Sequence, residues 1–116
     1  MSNLLLILSS IIMGAIGQIL LKSGANILGD LKFNMQGFIS IITNYFIIGG
    51  LILFGTSFLL WIKVLTKNSL SYVYPMVSLS YIIIVLASKI MFDEPFTSNK
   101  VIGILAIIIG VIFINK

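Results

Sequence analysis

The sequence predicts an all-α integral membrane protein, a bundle of four transmembrane helices in a single domain over residues 1–116. Hydrophobic residues make up 59% of the chain and charged residues only 9%, the reverse of the balance in a soluble domain. The acidic residues Asp30, Asp93 and Glu94 all lie in predicted loops between uncharged apolar segments. A helix of about 20 apolar residues can cross the roughly 30 Å hydrocarbon core of a bilayer.

The first half of the chain predicts two spans. Span one covers residues 4–22, and residues 23–32 carry the Gly, Asn and Asp residues typical of a turn. The uncharged run over residues 33–62 is too long for one straight crossing. Apolar residues at helical spacing beside polar ones favour a short interfacial helix over residues 33–43, followed by span two over residues 44–63. A single kinked helix is the alternative.

The second half of the chain predicts two further spans. Span three covers residues 70–92 and ends at the turn Asp93-Glu94-Pro95, because the residue before a proline disfavours helical geometry. Span four covers residues 99–115, with Thr97 or Ser98 as its N-cap. The lysines divide almost evenly between the two sides of the membrane, so the positive-inside rule favours neither orientation.

Composition excludes several classes of site. The chain has no cysteine and no histidine, which excludes disulfides and metal sites built from thiolates or imidazoles. Its net charge of +4 comes from lysines scattered singly between the spans, a pattern typical of membrane flanks and not of a nucleic-acid surface. With no carboxylate pair inside a span and no phosphate-binding glycine loop, we expect no enzymatic activity, no cofactor, no metal and no nucleic-acid partner.

Span one carries a polar ridge. Ser10, Gly14, Gln18 and Lys22 follow one another at intervals of four residues and share one helix face, and Gly17 beside them would let another backbone approach closely. An unpaired amide in hydrocarbon is costly. We therefore expect Gln18 either to form a hydrogen bond to another helix, worth about 0.6 to 2 kcal/mol, or to contact a ligand.

Span three carries a polar stripe on one helix face. Its members are Ser71, Tyr74, Ser78, Tyr81 and Ser88. Pro75 frees the carbonyl of Ser71 and should bend the helix. The stripe should face a partner helix or a polar cavity, and two tyrosines beside a freed carbonyl favour the cavity.

Two lysines lie near this stripe on the same side of the membrane. Lys89 follows the stripe by less than one turn, and Lys22 ends span one. Two ammonium groups above a hydroxyl-lined cavity suit a phosphate headgroup. Snorkelling is the alternative for Lys22, and pairing with Asp93 or Glu94 is the alternative for Lys89.

Span four is built for packing. Gly103, Ala106 and Gly110 leave a groove of small residues on a helix that otherwise consists almost entirely of Ile, Val, Leu and Phe. Glycines seven residues apart return to nearly the same face. This pattern favours dimerisation over substrate binding.

Four segments carry a family resemblance. They are GQILLK at 17–22, YPMVSLSY at 74–81, KIMFDEPFT at 89–97 and IGILAIIIGVIFIN at 102–115. Together they resemble the small four-helix branch of the drug/metabolite transporter superfamily, and most of all the subunits that flip aminoarabinose-phosphoundecaprenol. The resemblance implies a multi-pass protein of the cell (inner) membrane that works as a homodimer or as a heterodimer with a similar small subunit.

The small multidrug-resistance exporters share this fold by the same resemblance, and they use a span-one carboxylate for protons and cations. Gly14 occupies that position here. Neither proton exchange nor attraction of a cationic drug therefore has an evident residue, and ammonium groups flanking the cavity would repel cations.

The favoured hypothesis is a flippase for a polyprenyl-phosphate-linked sugar or a similar anionic lipid. Lys22 and Lys89 would hold the phosphate, and the polar faces of spans one and three would carry the headgroup while the prenyl tail stays in lipid. The candidate substrate-binding residues are Lys22, Lys89, Gln18, Ser71, Tyr74, Ser78, Tyr81 and Glu94. The alternatives are a proton-coupled cation exporter of the multidrug type and a non-transporting accessory subunit that packs through span four.

Overall fold

The computed structural model describes residues 2–114, with side chains over residues 4–114, and this part of the chain contains helices and no strand. The elements are α1 (Ser2–Leu28), α2 (Met35–Ile42), α3 (Tyr45–Lys67), α4 (Leu70–Val73), a 3₁₀ segment (Tyr74–Ser78), α5 (Leu79–Phe92) and α6 (Ser98–Ile114). The predicted last residue of span four, Asn115, lies outside the described residues.

Three helical stretches are long and apolar enough to cross a membrane. They are Leu4–Leu28, Tyr45–Lys67 and the nearly continuous Leu70–Phe92. α6 is equally apolar but has 17 residues, so it would reach only about 26 Å. The protein is therefore a multi-pass membrane protein, and the crossing by α6 stays a prediction.

α1 and α3 form an antiparallel pair whose backbones touch. A Cβ atom added to Gly17 would lie 3.0 Å from the carbonyl oxygen of Gly50, and one added to Gly50 would lie 2.8 Å from that of Gly17. Such distances leave no room for a side chain at either position. The expectation that Gly17 admits another backbone is confirmed, because small residues let membrane helices approach closely.

Two side-chain hydrogen bonds fix the register of this pair on either side of the glycines. The hydroxyl of Ser10 donates to the carbonyl oxygen of Ser57 at 3.0 Å. Nδ2 of Asn44 donates to the carbonyl oxygen of Gly24 at 3.1 Å, while its Oδ1 accepts from the backbone amides that open α3. Ser10, Asn44 and Ser57 are all buried. Each of these bonds therefore gives a buried polar group a hydrogen-bond partner that lipid could not provide.

α1 is longer than the sequence predicts, and the turn expected over its last part was wrong. The helix runs through residues 23–28 and ends where Gly29 adopts a φ of +71°, its amide bonded to the carbonyl of Ala25. Gly24 lies inside the helix against Ile47, where a Cβ atom would clash. Packing against α3 therefore outweighed the turn-forming composition of this segment.

α2 is separate from α3, so the chain does not form the single kinked helix. The Asn34 side chain accepts a hydrogen bond from the amide of Gly37 and begins α2. Asn44 then adopts an extended conformation and caps α3. α3 itself runs to Lys67, four residues past the predicted end of span two at Lys63.

The third crossing changes helix type at its proline. Tyr74–Ser78 forms a 3₁₀ segment with Pro75 in its first turn, between α4 and α5. α5 ends at Phe92, its C-cap Asp93 has a left-handed φ of 53°, and the amide of Glu94 donates to the carbonyl of Ser88. Of the two predicted caps of α6, Thr97 is the one whose hydroxyl accepts from the amide of Lys100, at 3.3 Å.

The apolar core lies where α1, α3 and the start of the third crossing meet. Its buried members are Ile7, Ile11, Val64, Val73 and Met76. α6 contributes no buried residue, and there is open space around both of its glycines, Gly103 and Gly110.

Candidate substrate cavity

A cavity of about 340 Å³ opens between α1, α3 and the part of the third crossing formed by the 3₁₀ segment and the start of α5. Its lining residues are Ser10, Ile11, Gly14, Ala15, Gln18, Phe54, Ser57, Phe58, Trp61, Tyr74, Val77 and Ser80. One wall is aromatic and comes mainly from α3, while neutral polar side chains come from all three elements. Among the side chains described, over residues 4–114, no charged one lines it.

α1 contributes the predicted polar ridge to the cavity, except for its last residue, Lys22. Ser10, Gly14 and Gln18 all line the cavity, and a Cβ atom added to Gly14 would lie 3.4 Å from the hydroxyl of Ser57. The Gln18 side chain is exposed and forms no hydrogen bond to any residue that the structure describes. Within the chain, its amide is thus available to a ligand or to a partner subunit.

The third crossing presents a different face from the predicted stripe. Tyr74 and Val77 line the cavity three residues apart, because a 3₁₀ segment has about three residues per turn, and Ser80 in the first turn of α5 lines it as well. Ser78, which an α-helix would place below Tyr74, instead donates its hydroxyl to the carbonyl of Pro75. The other stripe residues, Ser71, Ser78, Tyr81 and Ser88, do not line the cavity, so Tyr74 is the stripe residue that borders it together with Gln18.

The predicted lysines lie outside the cavity. Nζ of Lys22 is 4.0 Å from Oε2 of Glu94, and the two side chains are 50% and 39% exposed. Lys22 follows Gln18 by one turn, a rise of about 6 Å along α1. Lys89 is exposed near the end of α5, and the described residues pair Glu94 with Lys22 and not with Lys89.

Sequence reasoning missed the contribution of α3. Phe54, Ser57, Phe58 and Trp61 form much of the cavity wall, yet none was a candidate. A signal was present in the spacing. Small residues recur every seven positions on both partners, at Ser10, Gly17 and Gly24 on α1 and at Gly50 and Ser57 on α3. That spacing identifies the faces of α1 and α3 that meet, and the cavity opens beside them.

Comparison with known proteins gives relatives that include named flippase subunits. A protein of Enterobacter sp. (strain 638), named "Probable 4-amino-4-deoxy-L-arabinose-phosphoundecaprenol flippase subunit ArnE", is 40% identical over 65 residues, covering 56% of this chain and 61% of that protein. The ArnF subunit of the same name from Proteus mirabilis (strain HI4320) is 31% identical over 117 residues, covering 94% of this chain and 88% of that protein. The first match thus spans less than two thirds of its relative. No solved structure matches the chain.

The whole chain, residues 1–116, matches the EamA-like transporter family. The resemblance to the drug/metabolite transporter superfamily, argued from the segments at 17–22, 74–81, 89–97 and 102–115, is confirmed by this match. The apolar helices Leu4–Leu28, Tyr45–Lys67 and Leu70–Phe92 agree with it. The protein is a member of the EamA-like transporter family.

Proposed function

We propose that this protein is one subunit of a flippase that moves a polyprenyl-phosphate-linked sugar, or a similar anionic lipid, across the cell's inner membrane. The observation that carries the proposal is the uncharged, partly aromatic cavity beside Gln18, one helical turn from the ammonium group of Lys22. A lipid-linked sugar has a matching arrangement of groups, a polar ring followed by a phosphate and a long apolar tail.

The sugar ring would enter the cavity. Its hydroxyls need hydrogen-bond partners away from water, since an unpaired polar group in hydrocarbon costs several kcal/mol. Gln18, Ser80 and the hydroxyl of Tyr74 offer donors and acceptors there, and Trp61 offers a flat apolar face to the ring's C–H groups. A volume of about 340 Å³ is in the range of small-molecule sites.

The phosphate would lie outside the cavity, near Lys22. A headgroup held at Gln18 places the next group along the lipid within about one helical turn of the Lys22 ammonium. Glu94 already neutralises part of that charge, so phosphate binding would displace the carboxylate. Lys89 would then act as a second cation on the same side, as the sequence suggests. The prenyl tail would stay among the lipids.

The assembly would contain a second chain. Both named relatives are subunits, and the cavity opens beside helices that one copy leaves uncovered. Gly103, Ala106 and Gly110 of α6 form the surface that we propose for that partner, either a second copy or a similar small membrane protein.

The test is a binding titration in lipid nanodiscs with undecaprenyl phosphate and uncharged undecaprenol as separate ligands. The parent protein should prefer the phosphate lipid, and Lys22→Ala and Lys89→Ala should each reduce that preference. Lys63→Ala is the matched control, because Lys63 is an exposed lysine near the opposite end of the bundle. Equal affinity of the parent for both lipids would contradict the proposal. Proton-coupled uptake of a cationic dye by the purified protein would favour the multidrug alternative instead.

A further inference from the structure

The connection between α1 and α3 exposes large apolar side chains. Phe33 is 99% exposed and Tyr45 is 92% exposed, at the two ends of α2. Between them, the exposed apolar residues of α2 are Met35, Phe38, Ile39 and Ile42. A loop in water has no reason to display this surface, and large exposed apolar patches mark contacts with a membrane or another molecule.

α2 divides its surface into three faces. At about 100° per residue, Met35, Phe38, Ile39 and Ile42 fall on one side of the helix. Gln36 and Ser40 lie together on a second side, where they border a small polar cavity. Gly37 is buried on the third side, against the backbone carbonyl of Lys32. The helix therefore presents separate surfaces to an apolar medium, to water and to the protein.

The position of α2 along the bundle is fixed by its neighbours. The bond from Asn44 to the carbonyl of Gly24 places the start of α3 beside Gly24, so residues 25–28 of α1 extend a turn beyond it. α2 lies beside that extension, sharing one cavity with Leu28. α1 is about 40 Å long, against a hydrocarbon core of roughly 30 Å, so one or both of its ends must reach the headgroup region.

We propose that α2 is a membrane-surface anchor that inserts its apolar face at the boundary between the lipid headgroups and the acyl chains. Its 8 residues extend about 12 Å, too short to cross. Its apolar face continues into the exposed residues Tyr45 and Phe46 at the start of α3, which are lipid-facing in a membrane helix. Aromatic residues such as Phe33 and Tyr45 suit this depth.

Lipid fits the apolar face of α2 better than a second copy of the chain does. A stable protein interface buries roughly 800 Å² on each partner, which the four apolar side chains of two helical turns do not supply. The opposite side chains, Gln36 and Ser40, would remain in water in a surface-lying helix. The anchor does not depend on what the protein transports.

The experiment uses the natural absence of cysteine, so that each introduced cysteine carries a unique spin label. Full-length Phe38→Cys and Gln36→Cys variants are reconstituted in vesicles of phosphatidylcholine and phosphatidylglycerol. Leu51→Cys, on the exposed surface within α3, serves as the deep reference. Power-saturation spectroscopy then compares collisions with oxygen, which enriches in lipid, and with a water-soluble nickel chelate.

We expect the Phe38 label to favour oxygen and the Gln36 label to favour the nickel chelate, with the Phe38 label shallower than the Leu51 label. Ile39→Cys and Ile42→Cys should behave like Phe38→Cys, which guards against a local effect of losing one aromatic anchor. Equal nickel access at positions 36 and 38 would overturn the proposal, as would a Phe38 label as deep as that at Leu51. Shielding of the Phe38 label from both reagents would also overturn it and would indicate a protein partner.

Discussion

Nζ of Lys22 and Oε2 of Glu94 lie 4.0 Å apart, so an ion pair joins α1 to the loop between α5 and α6. The pair sits one helical turn from Gln18, at the mouth of the proposed route for a lipid phosphate. Glu94 thus pairs with the ammonium group that the phosphate of the proposed substrate would need, whereas the sequence suggested Lys89 as the partner of Asp93 or Glu94.

Glu94→Gln should raise the affinity for undecaprenyl phosphate, because the neutral amide no longer competes for the ammonium of Lys22. Exposed ion pairs are worth about 0–1 kcal/mol, so we expect at most about a fivefold fall in Kd. Asp93→Asn is the matched control, since Asp93 lies next in the chain but is not paired with Lys22 in the structure. An unchanged or weaker Kd for Glu94→Gln would show that Glu94 does not compete with the phosphate.

Trp61→Ala should weaken binding of a sugar-linked polyprenyl phosphate more than binding of the bare polyprenyl phosphate. The indole lines the cavity, where the sugar would sit, while the phosphate would remain outside. Trp61→Phe should retain most of the affinity because it keeps an aromatic face. The measurement is the Kd of each variant for each of the two lipids in nanodiscs. An equal loss of affinity for both lipids would mean that Trp61 supports the packing of the protein and does not contact the sugar.

Gly50→Ala should destabilise the fold by more than 1 kcal/mol, because the new methyl group would meet the carbonyl oxygen of Gly17 at 2.8 Å. Gly55→Ala is the matched control on the same helix, with nothing within 4 Å of its Cβ position. Alanine favours helix over glycine by about 1 kcal/mol, so this control should be neutral or stabilising. Thermal unfolding in detergent measures both. Similar unfolding midpoints for the two variants would mean that α1 and α3 can move apart at Gly50 without a loss of stability.

Asn44→Ala should cost about 1–3 kcal/mol, because it removes both the cap of α3 and the bond to Gly24. Asn44→Ser keeps a capping oxygen but has no amide to donate to Gly24. Hydrogen exchange should therefore show faster exchange at residues 25–29 in both variants, and faster exchange at the start of α3 only in Asn44→Ala. If the serine variant protects residues 25–29 as the parent does, the bond to Gly24 does not hold the end of α1.

Gly110→Leu should weaken self-association or association with a partner, because it fills the open small-residue surface of α6. Gly55→Leu is the control, since it adds the same side chain at another open glycine, on α3. Energy transfer between labelled copies in bilayers reports the change. Equal association of parent and Gly110→Leu would mean that this surface faces lipid.

Much of the architecture could be predicted from local sequence. The uncharged apolar runs predict membrane helices because neither lipid nor a packed interior tolerates an unpaired charge. The Asp93-Glu94-Pro95 turn and the Thr97 cap follow from chemistry that acts within a few residues. Membership of the transporter family could be predicted from the segments at 17–22, 74–81, 89–97 and 102–115.

The cavity could be predicted only in part. Gln18 stands out because its amide is conspicuous in an apolar helix, and Tyr74 stands out beside a proline. Ser57 and Trp61 were not predicted, because the seven-residue spacing of Gly50 and Ser57 was not used to identify the side of α3 that meets α1. The stripe residues predicted after Tyr74 do not line the cavity, because the prediction assumed an α-helical period across a segment that is a 3₁₀ helix.

By itself, the sequence determined that this protein is helical, lies in a membrane and has neutral polar groups within its spans, because those properties depend on composition and on short-range periodicity. The tertiary structure decided where α1 ends, which serines of α3 and the third crossing line the cavity, and which lysine pairs with Glu94. These outcomes depend on contacts between residues far apart in the chain, such as Gly17 and Gly50, where the absence of side chains lets two backbones touch.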